Sequence, residues 1–231
     1  MPSGRRSSSR AGASAVTAAR TELLRLLLGA IAHELGNLTG PIALVASTLE
    51  ADFPPGHIST AAGTLRLVAA GMRDLTLVTR MLRGGGADER LSPAADRQLD
   101  RWWTAFRPLI VELLPGGCTI DAAPPPVAVP APTLQALTWI VAALARGAGI
   151  SCPGARQLIL SIERDASEDT LHVTLTIPGD ATLRGTTDAA PWLRLARVEA
   201  RHCGGTIAVR RHAAGIAWRV DLKTSSSPAD T

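Results

Sequence analysis

Apolar positions Leu24, Leu28, Ile31, Leu35, Leu38, Ile42, Val45 and Leu49 follow one another in alternating steps of four and three, the spacing of a heptad seam along one helix. Ile58, Ala61, Leu65, Val68, Met72, Leu75, Thr79 and Leu82 repeat the pattern. Between the two runs stands Asp52-Phe53-Pro54-Pro55-Gly56, where paired prolines remove amide donors and a glycine permits a turn. The pattern therefore predicts an antiparallel helical hairpin with a short loop.

After Leu82 the run Arg83-Gly84-Gly85-Gly86-Ala87-Asp88 ends the helical period, because consecutive glycines lose the most entropy on ordering. A helix is predicted from Leu99 to Leu114, then a short strand at Cys118-Thr119-Ile120-Asp121 before the rigid Pro124-Pro125-Pro126. Thr133 to Arg146 reads as an amphipathic helix, capped by Thr133 and stopped near Gly147. Gln157 to Arg164 and Thr170 to Ile177 alternate as strands and are joined by a polar turn from Asp165 to Asp169. Pro191 to Cys203 is helical and ends at Gly204-Gly205; Thr206 to Arg211 and Ile216 to Leu222 form a last strand pair around Ala213-Ala214-Gly215.

The fold class is thus α+β: a helical hairpin followed by an α/β sandwich with helices on one face of an antiparallel-leaning sheet. The organisation expected is a disordered basic tail over 1–15, the hairpin over 16–83, a linker over 84–92, the α/β domain over 93–224 and a disordered tail over 225–231.

The chain has 231 residues, 46% of them hydrophobic, enough for a real core. Its formal charge of +4 owes much to Arg5, Arg6, Arg10 and Arg20, which precede the first acid, Glu22. With no Tyr and with two Phe and five Trp scattered, nothing resembles a stacking, arginine-lined nucleic-acid face. The first stretch, rich in Ser, Gly, Ala and Arg, reads as a tail or as a transit peptide. Leu23 to Ala32 is apolar, but Arg25 and then His33-Glu34 interrupt it well short of the roughly 20 residues a membrane span needs, so neither a transmembrane segment nor a signal peptide is expected. Cys118, Cys152 and Cys203 are odd in number and far apart, which argues against a disulfide framework or a zinc site and for a reducing cytoplasm. His57, His172, His202 and His212 show no ligand spacing and read as structural or surface residues.

The remaining histidine opens His33-Glu34-Leu35-Gly36-Asn37 beside the seam. A neutral imidazole nitrogen is a good nucleophile near pH 7, and an adjacent carboxylate, Glu34, can orient its ring. Asn37, one turn on, shares the face of His33 and can hold a water or a phosphoryl oxygen. On helical spacing alone, the favoured reading of His33 is an exposed helix-surface residue with no role; the motif and the hairpin together reverse that preference.

The hairpin with this motif and Pro41 resembles the dimerisation and histidine-phosphotransfer domain of bacterial sensor histidine kinases, over roughly residues 16 to 83. The resemblance implies that two hairpins pair into a homodimeric four-helix bundle and that His33 is the phosphoryl acceptor. Glu34-Leu35-Gly36-Asn37 also resembles the ExxN pattern linked in that family to dephosphorylation of the partner.

The second half resembles a kinase ATP-binding domain of the Bergerat type that has lost its nucleotide chemistry. Gln135 to Leu144 lines up with the helix whose asparagine holds magnesium, but Trp139 and Ala143 stand at the asparagine positions, and alanine offers no oxygen donor. Ile177 falls where the adenine-binding aspartate is expected, with Asp180 nearby in the wrong register. Trp192-Leu193-Arg194-Leu195-Ala196-Arg197-Val198 resembles the glycine-rich GLGLAxV segment, with Trp192 and Arg194 in place of glycines that let backbone approach phosphate. Arg194 reads either as a phosphate clamp or as a surface arginine.

Together these resemblances imply a histidine phosphotransferase that relays phosphoryl groups between response-regulator receiver domains through phospho-His33. It would bind no cofactor itself, with Mg2+ carried by the receiver. The alternative is a pseudo-histidine-kinase that binds, sequesters or dephosphorylates a response regulator through Glu34 and Asn37. An active ATP-dependent kinase would need contacts from residues the motifs do not supply.

Overall fold

The computed structural model describes residues 5–50, 56–83, 98–179, 190–212 and 215–224. The predicted loop at 52–55, the linker at 84–92, Asp180 and the tail at 225–231 lie outside the described residues.

Two long helices, α1 (Arg5–Glu50) and α2 (Gly56–Arg83), lead into α3 (Leu99–Val111), β1 (Thr119–Ala122), α4 (Ala131–Ser151), β2 (Gln157–Asp165), β3 (Thr170–Pro178), α5 (Ala190–His202), β4 (Thr206–His212) and β5 (Gly215–Lys223). Helix α1 begins inside the stretch read as a disordered tail. Arginine and alanine are among the strongest helix formers, and no proline interrupts this segment, so the helix extends toward the N-terminus.

The two heptad seams divide their labour. On α1, Ile31 and Val45 are buried and Leu38 is half-buried, while Leu24, Leu28, Leu35 and Ile42 remain 36% to 52% exposed. On α2, Ala61, Val68, Leu75 and Leu82 are buried, while Leu65 and Met72 are 43% and 50% exposed. One half of each seam thus closes the hairpin, and the other half forms an apolar stripe along its outside. The helices approach closely where Leu38 reaches the bare backbone of Gly71.

The sheet has the order β1-β2-β3-β5-β4, with β1 parallel to β2 and the other pairs antiparallel. Leu158, Leu160 and Ile162, Leu171, Val173, Leu175 and Ile177, and Trp218, Val220 and Leu222 are all buried on one face. Their alternate neighbours, such as Ser161, Thr174 and Arg219, lie on the open face. A slip of one residue in register would exchange the two sets.

Helix α4 lies against the buried face of the sheet and is apolar nearly all round, as a helix covered on every side must be. It differs from expectation at both ends. Pro130 occupies the cap and Pro132 the first turn, where a missing amide costs nothing, while Thr133 is buried inside the helix. At the other end, α4 runs through Gly147 to Ser151, because Gly149 lets it press against Pro115. By length and composition α4 is the one helix among the described residues apolar enough to cross a membrane, and 83% of that stretch is buried inside the fold.

The core joins both parts of the chain. Leu23, Leu27 and Ile31 of α1 and Leu75, Val78 and Leu82 of α2 share one apolar cluster with Trp102, Phe106, Trp139, Ile140 and the strand residues. Trp102 buries its indole by donating from Nε1 to Thr138 Oγ1 at 2.9 Å, and Thr138 in turn donates to Leu134 O at 2.8 Å. The three cysteines are free, and burial pushes each thiol up, with the nearby Glu199 charge adding to the effect at Cys203.

Gly204 and Gly205 end α5 as expected: Gly204 takes φ +62°, and Gly205 donates its amide to Ala200 O at 2.8 Å. A Cβ on Gly205 would overlap the carbonyl oxygen of Asp221. Gly205→Ala should therefore cost about 2 kcal/mol or more in urea unfolding, as overpacking against backbone does. Gly63→Ala, where nothing lies within 4 Å, should instead gain up to about 1 kcal/mol from helix propensity. A neutral Gly205→Ala would contradict the packing described at this helix end.

Candidate functional site

His33 stands exposed on α1, with Asn37 exposed one turn on and Glu34 half-buried beside it. On a helix the nearest neighbours of residue 33 are positions 29, 30, 36 and 37, and position 40 follows on the same side two turns on. Two of these are Gly29 and Gly36, with Gly40 two turns on, and an added Cβ at any of the three glycines would meet nothing within 4 Å. The imidazole consequently rises from nearly bare helix surface, with the Asn37 amide as the polar group beside it. Each glycine weakens the helix by about 1 kcal/mol relative to alanine, a cost that no close helix contact at these positions explains.

Pro41 leaves its own mark on the site. It lies inside α1, and its nitrogen has no hydrogen to give the carbonyl of Asn37 four residues back. One turn of the main chain next to His33 is therefore left with an acceptor that the helix ladder does not use. The neighbouring Gly36 carbonyl receives an additional bond, from Thr39 Oγ1 at 2.8 Å.

Glu34 points elsewhere. Successive residues are about 100° apart round a helix, which places Glu34 on the flank shared with Ile31 and Leu38, toward α2. Its half-burial follows from that position. The apolar stripe of Leu28, Leu35 and Ile42 lies on the far side of α1 from His33, about 160° away for Leu35.

The residues expected at nucleotide-binding positions are occupied by packing. Trp139 is 1% exposed, Ala143 and Ile177 are buried, and Trp192 is buried in α5; Arg194 is exposed. The guanidinium of Arg20, from α1, sits 4.7 Å from the Trp139 ring centroid and reaches Glu199 of α5 at 3.1 Å. His202 Nδ1 lies 3.6 Å from the other Glu199 oxygen.

Sequence reasoning missed a polar group on the open face of the sheet. His172 Nδ1 lies 2.6 Å from Asp221 Oδ1, and Arg219 Nε donates to the same oxygen at 3.0 Å. Burial raises the Asp221 pKa, but the hydrogen bonds from His172 and Arg219, with the charges of both residues, leave it below the usual value. The pair arises because β3 and β5 place residues 172 and 221 opposite each other. Such cross-strand register is not visible in linear spacing. The ligand atoms of Asp165, Glu168 and His172 also fall within 4.8 Å of one another. Asp165 is committed to its turn, however, accepting from the Ser167 amide at 2.8 Å and from the Ser167 hydroxyl at 2.5 Å.

No protein-family model and no curated protein matches the sequence. Among solved structures, the chain is similar to the histidine kinase domain of the blue-light activated histidine kinase EL346 from Erythrobacter litoralis, at 17% identity and a TM-score of 0.46 over 89% of this chain and 94% of that one. It is similar to a bacterial phosphotransferase at 17% identity and a TM-score of 0.37, over 87% and 96%. It is also similar to the histidine kinase AdeS of Acinetobacter baumannii at 14% identity and a TM-score of 0.38, over 82% and 98%.

Open surface round His33 has a direct chemical consequence. Diethyl pyrocarbonate should modify His33 readily in the native protein, and Gly36→Leu, which fills the neighbouring face, should slow that modification several-fold without lowering helicity. Protection of His33 in the unmodified chain would contradict this placement.

Proposed function

We propose that the chain is a histidine phosphotransferase of a bacterial two-component relay, carrying a phosphoryl group on His33 between receiver domains of response regulators. The observation that carries this reading is the setting of His33: an exposed imidazole on a glycine-bared helix face, with Asn37 beside it.

The chemistry needs little more than alignment. A neutral ring nitrogen of His33 attacks the phosphorus of a receiver's aspartyl phosphate; the N–P bond forms as the P–O bond to the aspartate breaks, and the carboxylate leaves. The reverse displacement, by the aspartate of a second receiver, returns the imidazole. Asn37 supplies a side-chain N–H to a phosphoryl oxygen, and bare backbone at Gly29, Gly36 and Gly40 leaves room for the receiver's own loops. Mg2+ belongs to the receiver in this scheme. This chain binds no ATP; the burial of Trp139, Ala143 and Trp192 supports that, because large or apolar side chains fill positions where oxygen ligands and close backbone approach would be needed.

The working unit in this reading is a cytoplasmic homodimer. The exposed halves of the seams, Leu28, Leu35 and Ile42 on α1 and Leu65 and Met72 on α2, are the faces two hairpins would bury in a four-helix bundle. The arrangement leaves His33 on the outside. Leu35→Glu should convert the dimer to monomer in light scattering at micromolar concentration while retaining helicity. A wild-type monomer would defeat the four-helix bundle.

The exposed Asn37 also favours a second reading, in which Asn37 and Glu34 position a water that hydrolyses the receiver's phosphate and His33 never carries it. Incubation with a panel of phosphorylated receivers separates the two. Acid-labile label that is lost in His33→Ala supports the relay, whereas faster receiver dephosphorylation that survives His33→Ala supports the second reading and sinks the first.

A further inference from the structure

Arg20 joins three helices at once. It belongs to α1, stacks over Trp139 of α4 and pairs with Glu199 of α5. Its two partners are deeply placed, with Trp139 1% and the Glu199 side chain 7% exposed, while the Arg20 side chain is itself 44% exposed, so water screens the attraction in part. The surrounding contacts of α1 are apolar: Ala19, Leu23 and Leu27 are all buried in the common core. Apolar burial fixes which face of α1 turns to the core but is non-directional, and it sets small rotations about the helix axis less sharply. The Arg20 guanidinium adds two point contacts, on a ring of α4 and a carboxylate of α5, which together oppose turning of α1 about its axis.

The same helix carries His33. No proline lies between residues 20 and 33, so this span is a stiff rod that places the two residues about 20 Å apart along the axis. A rotation of α1 at Arg20 is therefore a rotation of the His33 face relative to α4, α5 and the sheet. We infer that Arg20 is a positioning residue: its contact with Trp139 and Glu199 sets the angle at which α1 presents His33 relative to the α/β unit, and so the pose of a receiver that touches both. This inference rests on the phosphotransfer reading of His33 for its functional half only.

The contact is not fully satisfied. Glu199 Oε1 is close to Arg20 but meets no aligned hydrogen-bond donor, and Trp139 Nε1 is buried without a partner among the described residues. An incompletely satisfied polar junction is held less firmly than a fully bonded one. Loss of the Arg20 contact leaves the buried stripe of Ala19, Leu23 and Leu27 to hold α1, with wider small-angle rotation about its axis.

The 231-residue chain tests this with Arg20→Ala, Arg20→Lys, Glu199→Gln and the exchanged pair Arg20→Glu with Glu199→Arg. Circular dichroism establishes that each variant folds. Amide exchange should rise about tenfold over residues 16–30 of α1 in Arg20→Ala and in Glu199→Gln, with no further rise when the two are combined. Phosphoryl transfer from a receiver should slow at least about tenfold at saturating receiver. Direct labelling of His33 by phosphoramidate should stay unchanged, and the exchanged pair should recover part of both losses. Unchanged exchange overturns the contact's role, and raised exchange with an unchanged transfer rate overturns the positioning of His33. If the wild-type chain takes label from phosphoramidate but from no receiver, the relay reading fails by itself, and the exchange data still decide whether Arg20 holds α1.

Discussion

Burial of α4 is the constraint on which the architecture turns. A 21-residue helix that is apolar nearly all round cannot lie on a surface, so the sheet must cover one side and other helices the rest. α3, α5 and the open end of the α1–α2 hairpin provide that cover, which is why Leu23, Leu27, Val78 and Leu82 belong to the same core as the strands. The hairpin is thus not an appendage on a linker. It is anchored at one end by the core of the α/β unit, while its other end extends away with half of each seam uncovered.

That arrangement relates the site to the scaffold. His33 sits just beyond Ile31, the last buried residue that α1 gives to the common core, on a face turned away from α2. Below it α1 is fixed by Leu23 and Leu27; beside it the chain has discarded side chains at Gly29, Gly36 and Gly40. Helix stability has been given up on this face of α1. Local departures from good helix sequence, including Pro41, are concentrated where an incoming group would need space and an unused carbonyl.

Most of the elements were legible because their signals are local. The three-four spacing of both seams, the alternation of β2, β3 and β5, and Gly204-Gly205 each report on a few consecutive residues. The misses have physical causes of other kinds. Arg5 to Ala15 reads as a tail by composition, yet arginine and alanine carry α1 through it. Thr133 is a good cap by type, but Pro130 and Pro132 define the start of α4; Gly147 is a stop by type, but the neighbouring Pro115 makes close approach more useful than termination. His33 and Asn37 could be placed on one face from spacing alone. The half-burial of Glu34, the His172–Asp221 pair and the contact of Arg20 with Trp139 and Glu199 all depend on which elements become neighbours, and linear spacing carries no such information.

Whether His33 is a covalent carrier can be decided by locating the group it would bear. The protein, exposed to a phosphorylated receiver, digested at neutral pH and mapped by peptide mass spectrometry, should show an acid-labile phosphoryl group on the α1 peptide at residue 33, discharged when a second, unphosphorylated receiver is added. A receiver that loses its phosphate to water while the α1 peptide stays unmodified at every time point would contradict the carrier role of His33.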